Sequence, residues 1–333
     1  MAEPVKISPT EDGIRLMRWF GRHYPKLSMG EFRKLCRTGQ IRINAGRCRG
    51  NEILSSGDII RIPPGAAAAN TKEHKPKPNS GEKFSLQDLE YLRKTIIHND
   101  ADIVAFNKPA GLATQGGTGI KKSLDKMAAA LFPFDTILLV HRLDKETSGI
   151  IIMAKNQHAA QMLAKEFQDK TASKVYLALL AGSVSPKQGT IDNYMVKGHV
   201  LSDEEARDYY KTTGIKPQRA ITKYDVLNEL SGVVSWVRFM PLTGRTHQLR
   251  LHAAASLAAP IVGDELYGNK EPELGSKSRV SENLQSLIKS NNLFLCAHRL
   301  TFRHPGTGKI MTLSAELPEF MRSVISFLEF EVP

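Results

Sequence analysis

His141-Arg142-Leu143-Asp144-Lys145-Glu146-Thr147-Ser148-Gly149 is the densest run of polar residues in the chain, and it lies between two apolar segments, Thr136 to Val140 and Ile150 to Met153. Two accounts of it compete. Turn chemistry explains Thr147-Ser148-Gly149, and a carboxylate beside arginine and lysine is often only a structural ion pair. The same groups in a cleft make a functional site. If the segment is extended, Arg142 and Asp144 point to one side of the chain, because side chains alternate. A kinase catalytic loop also carries His-Arg-Asp, but here Leu143 separates Arg142 from Asp144 and no Gly-x-Gly-x-x-Gly loop precedes them. Ser148 is not in a Gly-x-Ser-x-Gly elbow, so a hydrolase triad has no supporting motif either.

Around this stretch the pattern is mixed. Apolar strand-like runs occur at Ile103 to Phe106, Ile150 to Ala154, Val175 to Ala181, Val233 to Phe239 and Phe294 to Leu300. Helices are predicted over Asn156 to Phe167, Arg245 to Ala255 and Glu319 to Phe330. Strands and helices do not alternate regularly, which predicts an α+β fold on a largely antiparallel, mixed sheet flanked by helices, and not a doubly wound one.

Further upstream, residues 65–85 have almost no large apolar side chains and no periodicity, so residues 66–90 are expected to form a flexible linker between a small domain (1–65) and a larger one (91–333). The small domain holds 12 Lys+Arg against 6 Asp+Glu, a net of +6, half of the chain's +12 in about a fifth of its 333 residues. Such an excess favours an anionic polymer, nucleic acid first. Within it, Ile14, Leu16, Met17, Trp19 and Phe20 give a helix-like apolar pattern with Arg15, Arg18 and Arg22 on another face. Ser28 and Glu31 have capping-box spacing for a second helix, with Phe32 and Leu35 inward and Arg33, Lys34 and Arg37 outward. Short strands follow at Ile41 to Asn44 and Ile59 to Ile62. A solvated helix face explains the basic residues as well as RNA binding does. Cys36, Cys48 and Cys296 form no CxxC pair, which points to inert thiols and no thiolate metal site. There is no signal-peptide pattern and no apolar run of roughly 18–20 residues, so a cytoplasmic protein with no membrane contact is expected.

The nine-residue stretch resembles the signature His-Arg-Leu-Asp-x-x-Thr-Ser-Gly of the RluA-type pseudouridine synthases at every fixed position. Asp102 to Leu112, Lys174 to Leu179, Thr243 to His252, Ile261 to Asp264 with Leu266 to Gly268, and Ala297 to Leu300 follow the family's motif order. The resemblance implies an RNA pseudouridine synthase that needs no cofactor and no metal. It makes Asp144 the catalytic carboxylate, Tyr176 the aromatic that stacks on the target base, and Arg245 the guanidinium partner of Asp144. Each role has a physical warrant. Breaking the C1′–N1 bond of uridine leaves electron demand at C1′ and an anionic uracil, which a carboxylate can serve. A nearby guanidinium keeps that carboxylate ionised in a desolvated pocket. Arg142 is the candidate wedge for the space of an extruded base, or a balance for local acid. Tyr176 in an apolar run has core packing as its rival explanation. Lys108 and Lys174 are expected on the RNA backbone unless they are plain surface charge. His247 and Gln248 are read as hydrogen-bonded scaffolding.

Residues 15–20, then 32–44, then Gly57-Asp58 before a strand, resemble an S4 RNA-binding domain, with Met17 where members usually carry an acidic residue. The pairing of the two domains looks most like the RluC-like branch, which implies large-subunit (23S) ribosomal RNA as partner, bound through Arg15, Arg18, Arg33, Lys34 and Arg37. A monomer is expected because RNA must enter a single cleft. The alternatives are an inactive ribosome-associated RNA-binding protein, or the same reaction on another RNA.

Overall fold

The computed structural model describes residues 4–24, 29–63, 84–117, 119–133, 135–268, 279–288 and 292–333. The chain divides into two compact units, Met1–Ser80 and Gly81–Pro333. In the first, helices Leu16–His23 and Met29–Arg37 share a core with strands β1 (Val5–Lys6), β2 (Arg42–Ile43), β3 (Gly46–Arg47) and β4 (Ile59–Arg61), paired antiparallel in the order β1-β4-β2-β3. Leu16, Trp19, Phe20, Phe32, Cys36 and Ile60 are buried there, as their spacing predicts, while Arg15, Arg18, Arg33, Lys34 and Arg37 are exposed. Asn44 and Ala45 take positive φ in the two-residue β2–β3 turn, the geometry that suits a tight hairpin. Ser28, half of the expected capping box, lies outside the described residues.

The expected linker ends earlier than residue 90. Ser85 accepts a hydrogen bond from the Asp88 amide and Asp88 reaches back to the Ser85 amide, a capping box that starts a helix over Leu86–Lys94. Leu92 of that helix is fully buried in the second unit's core.

The second unit is built on one large sheet. Its strands among the described residues are β5 (Ile96–Asn99), β6 (Ile103–Lys108), β7 (Leu138–Leu139), β8 (Ser148–Ala154), β9 (Ser173–Ala181), β10 (Gln188–Val196), β11 (His199–Leu201), β12 (Gln218–Leu230), β13 (Val234–Pro241), β14 (Leu295–Arg303) and β15 (Ile310–Ser314). They run β11-β10-β12-β13-β9-β14-β8-β6-β5, with β7 also on β8 and β15 on β14. Only the β8–β14 pair of these strands is parallel, so the sheet is mixed and largely antiparallel, with helices packed on it. All seven residues of β8 are buried, which explains its unbroken apolar run: a strand covered on both faces has no need to alternate.

Two hydrophobic cores form on this sheet. One gathers β9, β13 and the helix Glu319–Phe327; the other gathers β6, β8 and the helices Leu124–Leu131 and Gln157–Gln168. Tyr176 packs against both. Cross-strand register sets Gly149, Ala297, Tyr176 and Phe239 in one row over β8, β14, β9 and β13. The helix expected from Glu319 to Phe330 stops at Phe327, and Glu329 takes positive φ just beyond it.

Gly149 is required where it stands. A Cβ there would lie 2.3 Å from the Ala297 carbonyl oxygen and 2.6 Å from its amide nitrogen, and its φ is +105°. Neither backbone atom can swing aside as a side-chain end could. We expect Gly149→Ala to cost roughly 3–5 kcal/mol or to prevent folding, measured by thermal or urea unfolding. A melting temperature within a degree or so of the parent chain would show that the strands can separate without penalty.

Candidate active site

The loop of residues 140–147 carries Asp144 between β7 and β8 and is tied down from several sides. Lys108, at the end of β6, is completely buried, and its ammonium donates to the carbonyls of Pro109 (3.0 Å), Leu112 (2.8 Å) and Lys145 (3.0 Å). The Gly111 amide donates to the same Lys145 carbonyl. The Thr114 hydroxyl donates to the Leu143 carbonyl at 2.6 Å and accepts from the Leu143 amide at 3.2 Å. His141 stacks on Phe167 with ring centroids 4.5 Å apart, and its Nε2 accepts the Ile152 amide at 3.0 Å. Lys108 therefore does not meet RNA as expected from the sequence: a cation three carbonyls deep in the protein organises the loop instead. Burial, opposed by Glu146 and Asp144, pulls its pKa down to about 7.

Arg142 and Asp144 line one cavity of about 130 Å³, and the buried Leu143 between them borders it as well. Lys174 and Tyr176 of β9 form one wall and the segment Thr243–Arg250 the opposite one. Arg142 is exposed; Asp144, Lys174 and Tyr176 are half-buried. The two apolar cores meet at Tyr176, so its partly covered ring serves packing and cavity at once. Burial, then the Asp144 charge, pushes its phenol far above the ordinary range, so it stays protonated. Burial and then Lys170 pull the Lys174 pKa down.

The opposite wall differs from expectation. The sequence predicts a helix from Arg245 to Ala255, with Arg245 in its first turn. Instead His247 takes positive φ (+55°), the α-helix covers only Gln248–Leu251, and the following turn is a π-helix over His252–Ser256. The Gln248 side chain accepts from the Arg245 amide (3.0 Å) and the Thr243 hydroxyl (2.8 Å), and donates to the Thr222 hydroxyl (2.9 Å). His247 pairs with the Tyr267 hydroxyl at 2.9 Å. Both residues are scaffolding, as their neighbours suggested.

The two arginines of this segment have different surroundings. The Arg245 Nε donates to the Arg219 carbonyl at 3.1 Å, and among the described residues no ion pair joins Arg245 to Asp144. The guanidinium whose charge responds to Asp144 is Arg250. It is buried, forks onto Asp264 with contacts of 2.8 Å and 2.5 Å, and lies 5.3 Å from the centre of the Tyr267 ring. Burial works against its charge, but Asp264 and then Asp144 raise its pKa. Arg250 and Tyr267 were the residues missed as functional. The signal was the second arginine of Arg245-Thr246-His247-Gln248-Leu249-Arg250, concealed by the assumption of one continuous helix. The Asp144 carboxylate itself makes no hydrogen bond or ion pair with a described residue.

A cluster of metal-ligand type among the described residues, His98, Asp100 and His304, lines neither this cavity nor the larger one beside it. Its His304 Nδ1 accepts the Gly306 and Thr307 amides, so Nε2 carries the proton and donates to Asp100 at 2.9 Å. That is a hydrogen-bonded brace. Cys36, Cys48 and Cys296 are free and buried; burial pushes the Cys36 and Cys296 thiols up to about 12.

The chain is similar to known proteins over most of its length. Residues 102–255, which hold Asp144, Tyr176 and Arg250, match the family pattern of the RNA pseudouridylate synthases. The ribosomal large subunit pseudouridine synthase C of Rickettsia felis is 35% identical over 91% of this chain and 93% of its own. That of Escherichia coli is 31% identical over 97% and 96%. Among solved structures, human RNA pseudouridylate synthase domain containing 4 superposes with a TM-score of 0.59 at 28% identity, over 74% of this chain and 97% of that one. The chain belongs to the RNA pseudouridylate synthase family. It is an isomerase that turns uridine into pseudouridine within RNA.

The wall behind Arg250 has a pH-sensitive support. His252 is fully buried, with its Nδ1 taking the Thr222 hydroxyl proton (2.9 Å) and its Nε2–H on Asn193 Oδ1 (3.1 Å), an arrangement that needs a neutral ring. Burial lowers its pKa from 6.5 to about 4. Below 6.5 the unfolded chain takes up a proton that the folded chain refuses, so stability falls as pH drops from about 6.5 to 4. The slope from this group is about 1.4 kcal/mol per pH unit. In urea melts over that range, His252→Asn is expected to flatten the slope by about that amount; an unchanged slope would show that this histidine charges in the folded state.

Proposed function

We propose that the chain isomerises uridines of large-subunit ribosomal RNA, and that Asp144 is the catalytic carboxylate. The observation that carries this is an unpaired carboxylate facing a small cavity whose lining also includes a phenol ring and a buried guanidinium. The reaction cleaves C1′–N1 with the electron pair leaving on uracil, re-forms the bond from C5 to C1′, and moves a proton from C5 to N1. Attack at C1′, attack on the base and removal of a sugar proton all require Asp144 ionised and close to the glycosidic bond. Arg250, held by Asp264, supplies the positive charge that the sequence had assigned to Arg245. Tyr176 offers its ring to the base, Arg142 stands exposed at the mouth to fill the place of the extruded uridine, and Lys174 draws in the phosphate backbone. Nothing is oxidised or reduced overall, so side chains alone account for the step without a cofactor.

The ribosomal substrate is supported by relatives in Rickettsia felis and Escherichia coli whose names state it and which match over nearly the whole chain. A cytoplasmic location agrees with that substrate. We read the protein as a monomer, because RNA must enter a single cleft. No described helix is long and apolar enough to cross a membrane.

Pseudouridine mapping of unmodified large-subunit transcript tests the assignment. The parent chain should mark discrete uridines without added cofactor, and Asp144→Asn should reduce the rate by more than about 10³-fold while still binding the RNA. Equal marking by both chains would remove Asp144 from the chemistry; no marking by either, with RNA still bound, would favour an RNA-binding protein without this activity.

Residues 1–65 are in our reading an S4-type RNA-binding domain, supported by its two helices and the exposed Arg15, Arg18, Arg33, Lys34 and Arg37. Their share of binding is electrostatic, through phosphates. Replacing Arg33, Lys34 and Arg37 together by alanine should weaken binding to ribosomal RNA and lower the slope of log K against log salt by about one for each phosphate no longer neutralised. An unchanged slope in titrations at several salt concentrations would assign those charges to solvent.

A further inference from the structure

A second, larger cavity of about 680 Å³ adjoins the first, and Arg245, Thr246 and His247 line both. Its other walls come from the β10–β11 hairpin, the end of the helix Asp203–Thr213 and the chain leading into β12. The first cavity is well below the roughly 300–1,000 Å³ typical of sites that enclose a small molecule, whereas the second lies within it. A cavity of that size beside Asp144 offers room for little beyond the target uridine, so space for a neighbouring nucleotide is to be sought next to it.

The chemistry of the larger cavity suits that neighbour. Lys197, Lys216 and Arg245 line it, with no acidic residue among the described residues of its lining. Tyr209 and Tyr267 are among its lining, and Ile215 is a large apolar side chain there, left 57% exposed. Cations beside aromatic and apolar surfaces are the equipment for a single-stranded nucleotide: the charges take phosphate and the rings take the base. Arg245 is the post between the two spaces. Its Nε is fixed on the Arg219 carbonyl, and among the described residues its terminal nitrogens make no hydrogen bond. With Arg250 beside Asp144, Arg245 is released from the role its motif suggested.

We propose that the larger cavity holds the nucleotide next to the target uridine, with the phosphodiester between the two on the Arg245 guanidinium. This rests on the uridine-isomerase reading and adds a subsite that selects the flanking nucleotide. Consecutive nucleotides are one phosphodiester apart, and two cavities that share three consecutive residues are close enough to take them.

The test compares two double variants with the parent chain. Lys197→Ala with Lys216→Ala removes charge from the cavity; Lys165→Ala with Lys309→Ala removes the same charge from exposed positions that line neither cavity. Single-turnover pseudouridine formation in large-subunit transcript and equilibrium binding of a labelled oligouridylate are both measured, with thermal melting as the check on folding. The cavity variant should raise the half-saturating protein concentration and the oligouridylate dissociation constant about tenfold, and lower the salt slope by about two, with the control shifted by less than about twofold. Equal shifts in both variants, or none in either, overturn the subsite while the parent chain's activity stands. If the parent chain makes no pseudouridine in this RNA, the ribosomal substrate fails instead, and the oligouridylate arm still decides the cavity.

Discussion

The backbones of β8 and β14 approach so closely that Gly149 leaves no room for a Cβ against Ala297. This is the one parallel pairing among the described strands of an otherwise antiparallel sheet, and it joins two halves that each have their own core. Everything needed at the site is placed by it. Asp144 lies five residues before Gly149, at the entrance to β8. Ala297 pairs on its other side with Tyr176, and Tyr176 pairs with Phe239 near the end of β13, from which the chain turns into Thr243–Arg250. Three segments far apart in sequence reach one cavity because they leave neighbouring strands at the same level. A sheet of fixed register is a more accurate support for such a set than loops alone.

The electrostatics follow from that scaffold. A guanidinium taken out of water would be costly alone, and its ion pair with Asp264 is weak evidence of net stabilisation, since the desolvation cost is of the same order as the attraction. Its value is in orientation: the fork on Asp264 fixes the plane of Arg250, and the charge left over acts on Asp144. Lys108 works by a different route. Its ammonium satisfies three carbonyls where the chain turns around the catalytic loop, which holds the loop backbone without competing for the carboxylate. The carboxylate is therefore positioned through its main chain and kept free at its side chain.

Much of this was legible in the sequence, and the exceptions have physical reasons. Arg142 and Asp144 reach one cavity, although Leu143 between them borders it too, and the apolar runs located the central strands to within a few residues. The antiparallel character followed from the irregular order of strands and helices. Arg245 was preferred to Arg250 on the resemblance, and the single helix expected there is interrupted at His247, whose left-handed backbone is uncommon outside glycine. Lys108 was misplaced because charge in a sequence says nothing of burial, and a lysine can be wholly enclosed when three carbonyls receive its protons. The early end of the linker was encoded in Ser85 and Asp88, a capping signal overlooked among polar residues.

The distribution of charge gives the proposed separation of tasks a physical basis. The arginines of the basic N-terminal unit and the lysines of the larger cavity are exposed, where attraction to phosphate is long-ranged but screened by salt over about 8–10 Å. Arg250 and Asp264 are buried, so salt barely weakens what they do for Asp144. Binding can then vary with ionic strength or with the flanking nucleotide while the chemical step keeps one arrangement of charges. An enzyme that must find a few uridines among many needs that independence, because whatever strengthens general attraction to RNA leaves the geometry around Asp144 unchanged, and discrimination falls to the contacts made once a nucleotide has entered.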